Sequence, residues 1–193
     1  ESVGSTNTYL AGRAVDLPHA TVVSTYCQTA GRGQRGNSWE SEPNKNLSFS
    51  VLLRPQNIIA RQQFYISEAV SVAIVKTLKR YISNHRVSIK WPNDIYVENR
   101  KLAGILVELD YSGVFVEQAI IGIGINVNQK LFPEMDRIPV SMKMLLGSNL
   151  GINDILAAAL GLENIEVVNP EGEDAQGRPY GLLRCGTVAE QPL

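Results

Sequence analysis

Two long β-prone runs, Leu102–Leu109 and Val114–Ile125, are joined by Asp110-Tyr111-Ser112-Gly113, a hairpin signature that narrows the fold more than any other feature. Further strands read at Ala20–Tyr26, at Val87–Trp91 and at Ile95–Val97. Leu47–Leu53 alternates and then turns apolar, as a half-buried strand would. The longest helix is expected within Ile59–Ile82, with Ile66, Ala69, Val70, Ala73, Ile74, Leu78 and Tyr81 as one core-facing stripe. Gly4-Ser5-Thr6-Asn7 reads as a helix start, and Val140–Leu146 and Ile152–Leu160 read as helices separated by glycines. Strands outnumber helices and several are joined by short turns. The expected class is α/β (α+β), a mixed, largely antiparallel sheet with helices on one face.

Composition excludes several function classes. A chain of 193 residues, 44% hydrophobic and 19% charged, is an ordinary soluble protein of one domain, or one domain with a small appendage. A net charge of −1 argues against a broad nucleic-acid-binding surface, so any cationic work is local. Cys27 and Cys185 make no disulfide framework and no metal-ligand spacing, which suits a cytoplasmic protein. His19 and His85 stand alone, and no apolar run is long enough to cross a membrane. Beginning at Glu1 without Met is what a piece of a longer chain would show. The expected division is 1–160 as the main domain and 161–193 as a short, incomplete C-terminal β segment.

Four constellations carry chemistry. Gly31-Arg32-Gly33-Gln34-Arg35-Gly36-Asn37-Ser38-Trp39 combines close-approaching backbone, two guanidinium forks and an indole, a set suited to a nucleotide held at its phosphates. Its Gly31-x-Gly33-x-x-Gly36 spacing also fits the dinucleotide fingerprint. No helical periodicity follows it, however, and no acidic residue stands near Pro55–Ile58 for a ribose. A solvated basic turn is the plain alternative. Lys90-Trp91-Pro92-Asn93-Asp94 sets a cation, an indole, an amide and a carboxylate around a rigid turn. Lys90 suits a phosphate or carboxylate there, and Asp94 a magnesium ion or ribose hydroxyls; ordinary turn chemistry would use the same residues. Lys101 stands at the mouth of a strand whose Ala103 and Gly104 leave room beside the backbone, although a solvated lysine is the commoner case. Gly122-Ile123-Gly124-Ile125-Asn126 is either a strand that lets a flat ligand lie on its backbone, with Ile125 and Asn126 in contact, or a β-bulge.

Taken together, Ser5-Thr6-Asn7, Gln28-Thr29-Ala30-Gly31-Arg32-Gly33, Lys90–Asp94, Lys101-Leu102-Ala103-Gly104-Ile105-Leu106-Val107-Glu108 and Gly122–Asn126 strongly resemble the biotin protein ligases, from Ser5 to about Gly147. The resemblance implies a class II aminoacyl-tRNA synthetase-like fold. It implies ATP-dependent activation of biotin to biotinyl-adenylate, then transfer to a lysine of a carboxylase's biotin carboxyl carrier domain. ATP with Mg2+ as counter-ion and biotin are the implied substrates, with no tightly bound cofactor and no nucleic-acid or membrane partner; a homodimer is admitted. By the same analogy Ser5, Thr6, Asn7, Gln28, Gly31, Arg32, Gly33, Lys101 and Gly104 bind biotin. Trp39, Lys90, Asn93, Asp94, Ile125 and Asn126 surround the nucleotide, Asp94 as candidate magnesium ligand, and Lys101 and Arg32 are catalytic.

Departures from the family pattern are Gln34 and Asn37 where many members carry arginine, and no helix-turn-helix region ahead of Ser5. Asn164–Leu193 is shorter than the family's further helix and SH3-like barrel, with Gly177–Leu183 only faintly like a barrel hairpin. The rivals are a lipoate–protein ligase, whose glycine-triplet loop is missing here, and a non-catalytic biotin- or nucleotide-binding module.

Overall fold

The computed structural model of the chain describes residues 2–134, 137–161, 166–173 and 179–184. In chain order its elements are β1 (Ser2–Val3), α1 (Thr6–Ala11), β2 (Thr21–Thr25), β3 (Cys27–Gln28), β4 (Leu47–Leu53), α2 (Phe64–Lys79) and β5 (Val87–Lys90). There follow β6 (Asp94–Val97), β7 (Arg100–Ser112), β8 (Phe115–Ile125), α3 (Met142–Leu146), α4 (Ile152–Leu160), β9 (Glu166–Glu173) and β10 (Pro179–Arg184). Six strands make one sheet in the order β2-β4-β8-β7-β6-β5, and each neighbouring pair is antiparallel. The parallel component is the short β1–β3 pair. Contacts divide the chain into compact units Glu1–Leu150 and Gly151–Leu193. The second contains α4 and the antiparallel β9–β10 pair, while Gly177 and Arg178 lie outside the described residues.

The β7–β8 hairpin is the spine of the sheet. Its strands run further than the sequence suggests: Asp110, Tyr111 and Ser112 stay paired, to Gln118, Val116 and Phe115, through a register shift after Asp110. The turn is therefore Gly113-Val114, and Gly113 at φ +59° takes the left-handed position that a residue with a Cβ avoids.

Strand β4 is more buried than a half-buried strand allows. Leu47, Phe49 and Leu52 are core, yet Ser48 and Ser50 are also within a few per cent of full burial. The cause is α1, which packs against β2, β4 and β8. Leu10 and Ala14 from the α1 region meet Leu52 and Ile120, with Leu17 and Val23 at the edge. Burying side chains of this size stabilises the fold by about 1.5–3 kcal/mol each.

Helix α2 lies along β5, β6 and β7, but its buried stripe is rotated from the expected one. Ile66, Ile74 and Leu78 are buried as expected, whereas Ala69 and Ala73 face solvent. Ser71 and Thr77 take the buried positions instead, their hydroxyls donating to the helix's own carbonyls at Ser67 (2.7 Å) and Ala73 (3.1 Å). Hydroxyls satisfied in this way can be buried at little cost, so the face is set by packing rather than hydropathy alone. The helix also begins later than Ile59, after a single 3-10 turn at Ala60–Gln62.

Candidate active site

A cavity of about 280 Å3 opens on the face of β7 and β8 that carries Gly104, Leu106, Gly122 and Gly124. It brings together twelve of the residues singled out from the sequence. Ser5, Thr6, Asn7 and Gln28 stand at one end, Arg32, Gly33 and Trp39 come from the glycine loop, and Lys90, Asn93, Asp94, Lys101 and Gly104 stand at the other. Gly31 is at the neck of the loop. Asn126 lines a neighbouring cavity together with Lys101, Trp39 and Arg137.

Ile125 is placed elsewhere. It is fully buried, on the opposite side of β8 from Gly122 and Gly124, and lines neither cavity, so its side chain packs the core rather than a nucleotide. The β-bulge alternative also fails, because the register on both sides of Gly122–Ile125 is unbroken.

The floor is a chain of buried polar contacts. Ser5 caps α1 with an extended backbone at φ −153°, but its hydroxyl does not bond the helix. The Gln28 side-chain oxygen accepts from the Thr6 backbone N–H at 2.8 Å and lies 3.1 Å from the Thr6 hydroxyl. Ser50 Oγ is 2.7 Å from that hydroxyl and 2.6 Å from Asn7 Oδ1. Asn7 Nδ2 donates to Glu108 Oε2 at 2.8 Å, which fixes the orientation of the amide, because a carboxylate only accepts. The Asn7 and Gln28 oxygens are thus acceptors at the two ends, with two single-proton hydroxyls between them. Three contacts share two protons, so the floor is one donor short. A ligand that brings N–H groups supplies what is missing.

The glycine loop folds back on itself as a small ribbon. Trp39 N–H donates to Gly31 O at 2.9 Å, Arg32 pairs with Ser38, and Gly33 N–H donates to Asn37 O at 2.7 Å. No helix follows, which removes the dinucleotide-fold reading. The ribbon sets the Trp39 indole over the two strand glycines. A Cβ on Gly124 would lie 2.3 Å from Trp39 Cε2, and one on Gly104 would lie 3.3 Å from Cζ3. Gly122 makes the same kind of room for Asn7, whose Oδ1 would be 2.2 Å from a Cβ. The strand glycines therefore accommodate the protein's own side chains at the cavity wall. Trp39 Nε1 is buried without a hydrogen-bond partner among the described residues.

Positive charge is concentrated at the other end. Lys101 Nζ is 2.8 Å from Asp94 Oδ1 and 5.6 Å from the centre of the Trp39 ring. The guanidinium of Arg137 pairs with Asp94 Oδ2, so one buried carboxylate meets two cations. Asp94 Oδ2 accepts from Arg137, whereas Oδ1 faces the Lys101 ammonium without a hydrogen bond, and no cluster of three His, Cys, Asp or Glu exists among the described residues. Among the described residues these make no resident metal site, while a Mg2+ carried by ATP needs only one or two carboxylates beside the phosphates. Asn93 is tied to β7, its Nδ2 donating to Ile105 O at 2.8 Å, and Lys90 Nζ reaches the Tyr96 hydroxyl at 3.5 Å. The histidines take no part: His19 accepts from the Arg54 N–H at 2.9 Å and His85 stands 3.3 Å from Glu98.

Sequence reasoning missed Arg137, Ser50 and the role of Glu108. Ser50 could have been suspected as one of two serines in β4, the one that faces Gly122. Nothing in the sequence around Arg137 marks that residue.

A polar floor, a glycine loop carrying cations, and a six-stranded antiparallel sheet beneath them define a class II synthetase-like α/β domain. The description of the Biotin/lipoate A/B protein ligase family matches residues 1–126, and the chain belongs to that family. The chain is similar to the bifunctional ligase/repressor BirA of Escherichia coli, at 36% identity over 132 residues covering 68% of this chain and 40% of that protein. It is also similar to the biotin–[acetyl-CoA-carboxylase] ligase of Paracoccus denitrificans, 36% identical over 125 residues, 64% of this chain and 51% of that one. Among solved structures, the biotin protein ligase from Aquifex aeolicus in complex with biotin and ATP superposes with a TM-score of 0.70 at 28% identity, covering 82% of this chain and 64% of that one. The chain thus spans about 40% of the length of the BirA relative. No helix among the described residues is long and apolar enough to cross a membrane.

Proposed function

We propose that this chain is the catalytic part of a biotin–protein ligase. The observation that carries the reading is the donor-poor floor at Thr6, Asn7, Gln28 and Ser50, beside the Ser5 hydroxyl, which makes no capping bond to α1. Biotin's ureido ring offers two N–H donors and one carbonyl acceptor, which suit such a floor. The dithiolane of lipoate offers no donor and would leave the floor's polar groups unmatched, at a cost of about 1–3 kcal/mol for each unpaired group.

In the first step a biotin carboxylate oxygen attacks the α-phosphorus of ATP, and the bond to pyrophosphate breaks. Two anions must approach, so fixed positive charge governs the rate. Lys101 and Arg32 are the assigned cations, with Gly31, Gly33 and Gly104 giving close backbone approach. Trp39, Lys90, Asn93, Asp94 and Asn126 surround the nucleotide. The Gly31–Ser38 ribbon closes over the adenylate and shields the mixed anhydride from water. In the second step the amine of a lysine on a biotin carboxyl carrier domain attacks the anhydride carbonyl, AMP departs, and the amine gives up its proton; the setting is the cytoplasm.

Pyrophosphate release from ATP, measured with biotin, with lipoate and with neither, decides among the readings. Release with biotin alone supports the ligase. Release with lipoate would move the chain to the other branch of its family, and no release with either would leave a binding module.

A further inference from the structure

We propose that Glu108 is the positioning residue that locks the glycine loop to the floor of the biotin pocket, an inference that rests on the biotin ligase reading. Glu108 Oε1 accepts from Arg32 Nη2 at 2.6 Å, and Oε2 accepts from Arg32 Nη1 at 3.3 Å and from Asn7 Nδ2 at 2.8 Å. One carboxylate therefore joins three chain segments: the loop through Arg32, α1 through Asn7, and β7 through its own backbone. Residues 32, 108 and 7 are far apart in sequence, and a fork–carboxylate pair fixes direction as well as distance.

The consequences run both ways from that carboxylate. Towards the floor, an acceptor-only group forces Asn7 to present Nδ2 to Glu108 and Oδ1 to Ser50, which creates the proton shortage that a ureido donor relieves. Towards the loop, the pair holds a cation that would otherwise be free at the cavity rim. The pair itself is partly solvated, with side chains 49% and 32% exposed, so it adds little to overall stability. Its contribution is orientation, and that is what the reaction needs.

Glu108→Gln keeps the shape and removes the charge. A glutamine can accept from Arg32 or from Asn7 through its single oxygen, but its amide then opposes a donor on the other side. The expected result is a KM for biotin raised roughly ten- to hundredfold, the size of one charge-assisted hydrogen bond left unmade, with KM for ATP and the melting temperature nearly unchanged. Hydrogen exchange of Gly31–Ser38 in the ligand-free variant should quicken, while that of β8 stays as it was. Glu108→Asp retains the charge but withdraws the oxygens by one methylene, and should fall between the two. Unchanged biotin KM and unchanged loop exchange in Glu108→Gln overturn the proposal; so does a loss of KM for both substrates in parallel with melting temperature, which marks a purely structural role. If the unaltered chain releases no pyrophosphate with biotin, the functional reading fails instead, and loop exchange still decides whether Glu108 holds the loop.

Discussion

Lys101 shows how one side chain is committed before any ligand arrives. Its ammonium lies between the Asp94 carboxylate and the Trp39 ring, held at the end of the cavity by a partner that is itself almost fully buried. Lys101→Ala should lower the rate of pyrophosphate release on the order of 100- to 1,000-fold, as removal of one preorganised charge does. The fold should survive, because Arg137 still pairs with Asp94. Circular dichroism beside the rate measurement checks this, and near-normal release from a folded variant removes Lys101 from the assigned catalytic groups. Lys101, Asp94, Asn7 and Gln28 were legible because each sits in a short motif with an evident chemical use. Arg137 was not, since its role depends on the residues after it pairing with Lys101 of β7, and no local pattern records such a return.

Among the elements, the hairpin and the helices announced themselves, and what sequence misjudged was their exposure. Periodicity places α2 correctly but assigns Ala69 and Ala73 to its buried face, because alanine counts as apolar there and serine does not. Burial follows the neighbouring strands, and Ser71 goes inside once its hydroxyl has found Ser67 O. Ile74→Ala should therefore destabilise the chain by about 2–5 kcal/mol, whereas Ala73→Ser should change it by less than about 0.5 kcal/mol. Urea midpoints of the two variants test the rotated stripe; equal losses would restore the original one. Strand β8 gives the converse case. Its glycines read as space for a ligand, and the space exists, but Asn7 and Trp39 already stand in it.

At the scale of the whole molecule, the antiparallel sheet followed from strand runs and short turns, and the cavity followed from motifs scattered along the chain that the sheet order β2-β4-β8-β7-β6-β5 gathers on one face. Sequence spacing alone does not reveal that β4 sits beside β8, or that α1 thereby lays Thr6 and Asn7 against Ser50. The same gathering puts the chain's two tryptophans at one cavity in opposite circumstances: the Trp39 indole nitrogen is shut away from water, and Trp91 is 72% exposed and tilted against Phe64. The chain consequently carries its own optical probe. Acrylamide should quench Trp91 more strongly than the half-buried Trp39, and addition of ATP should alter the less-quenched component while leaving the other; if only the exposed component responds, the nucleotide does not meet Trp39. Light absorbed at one wavelength would then report, from a single unlabelled sample, both how open the cavity rim is and what has entered behind it.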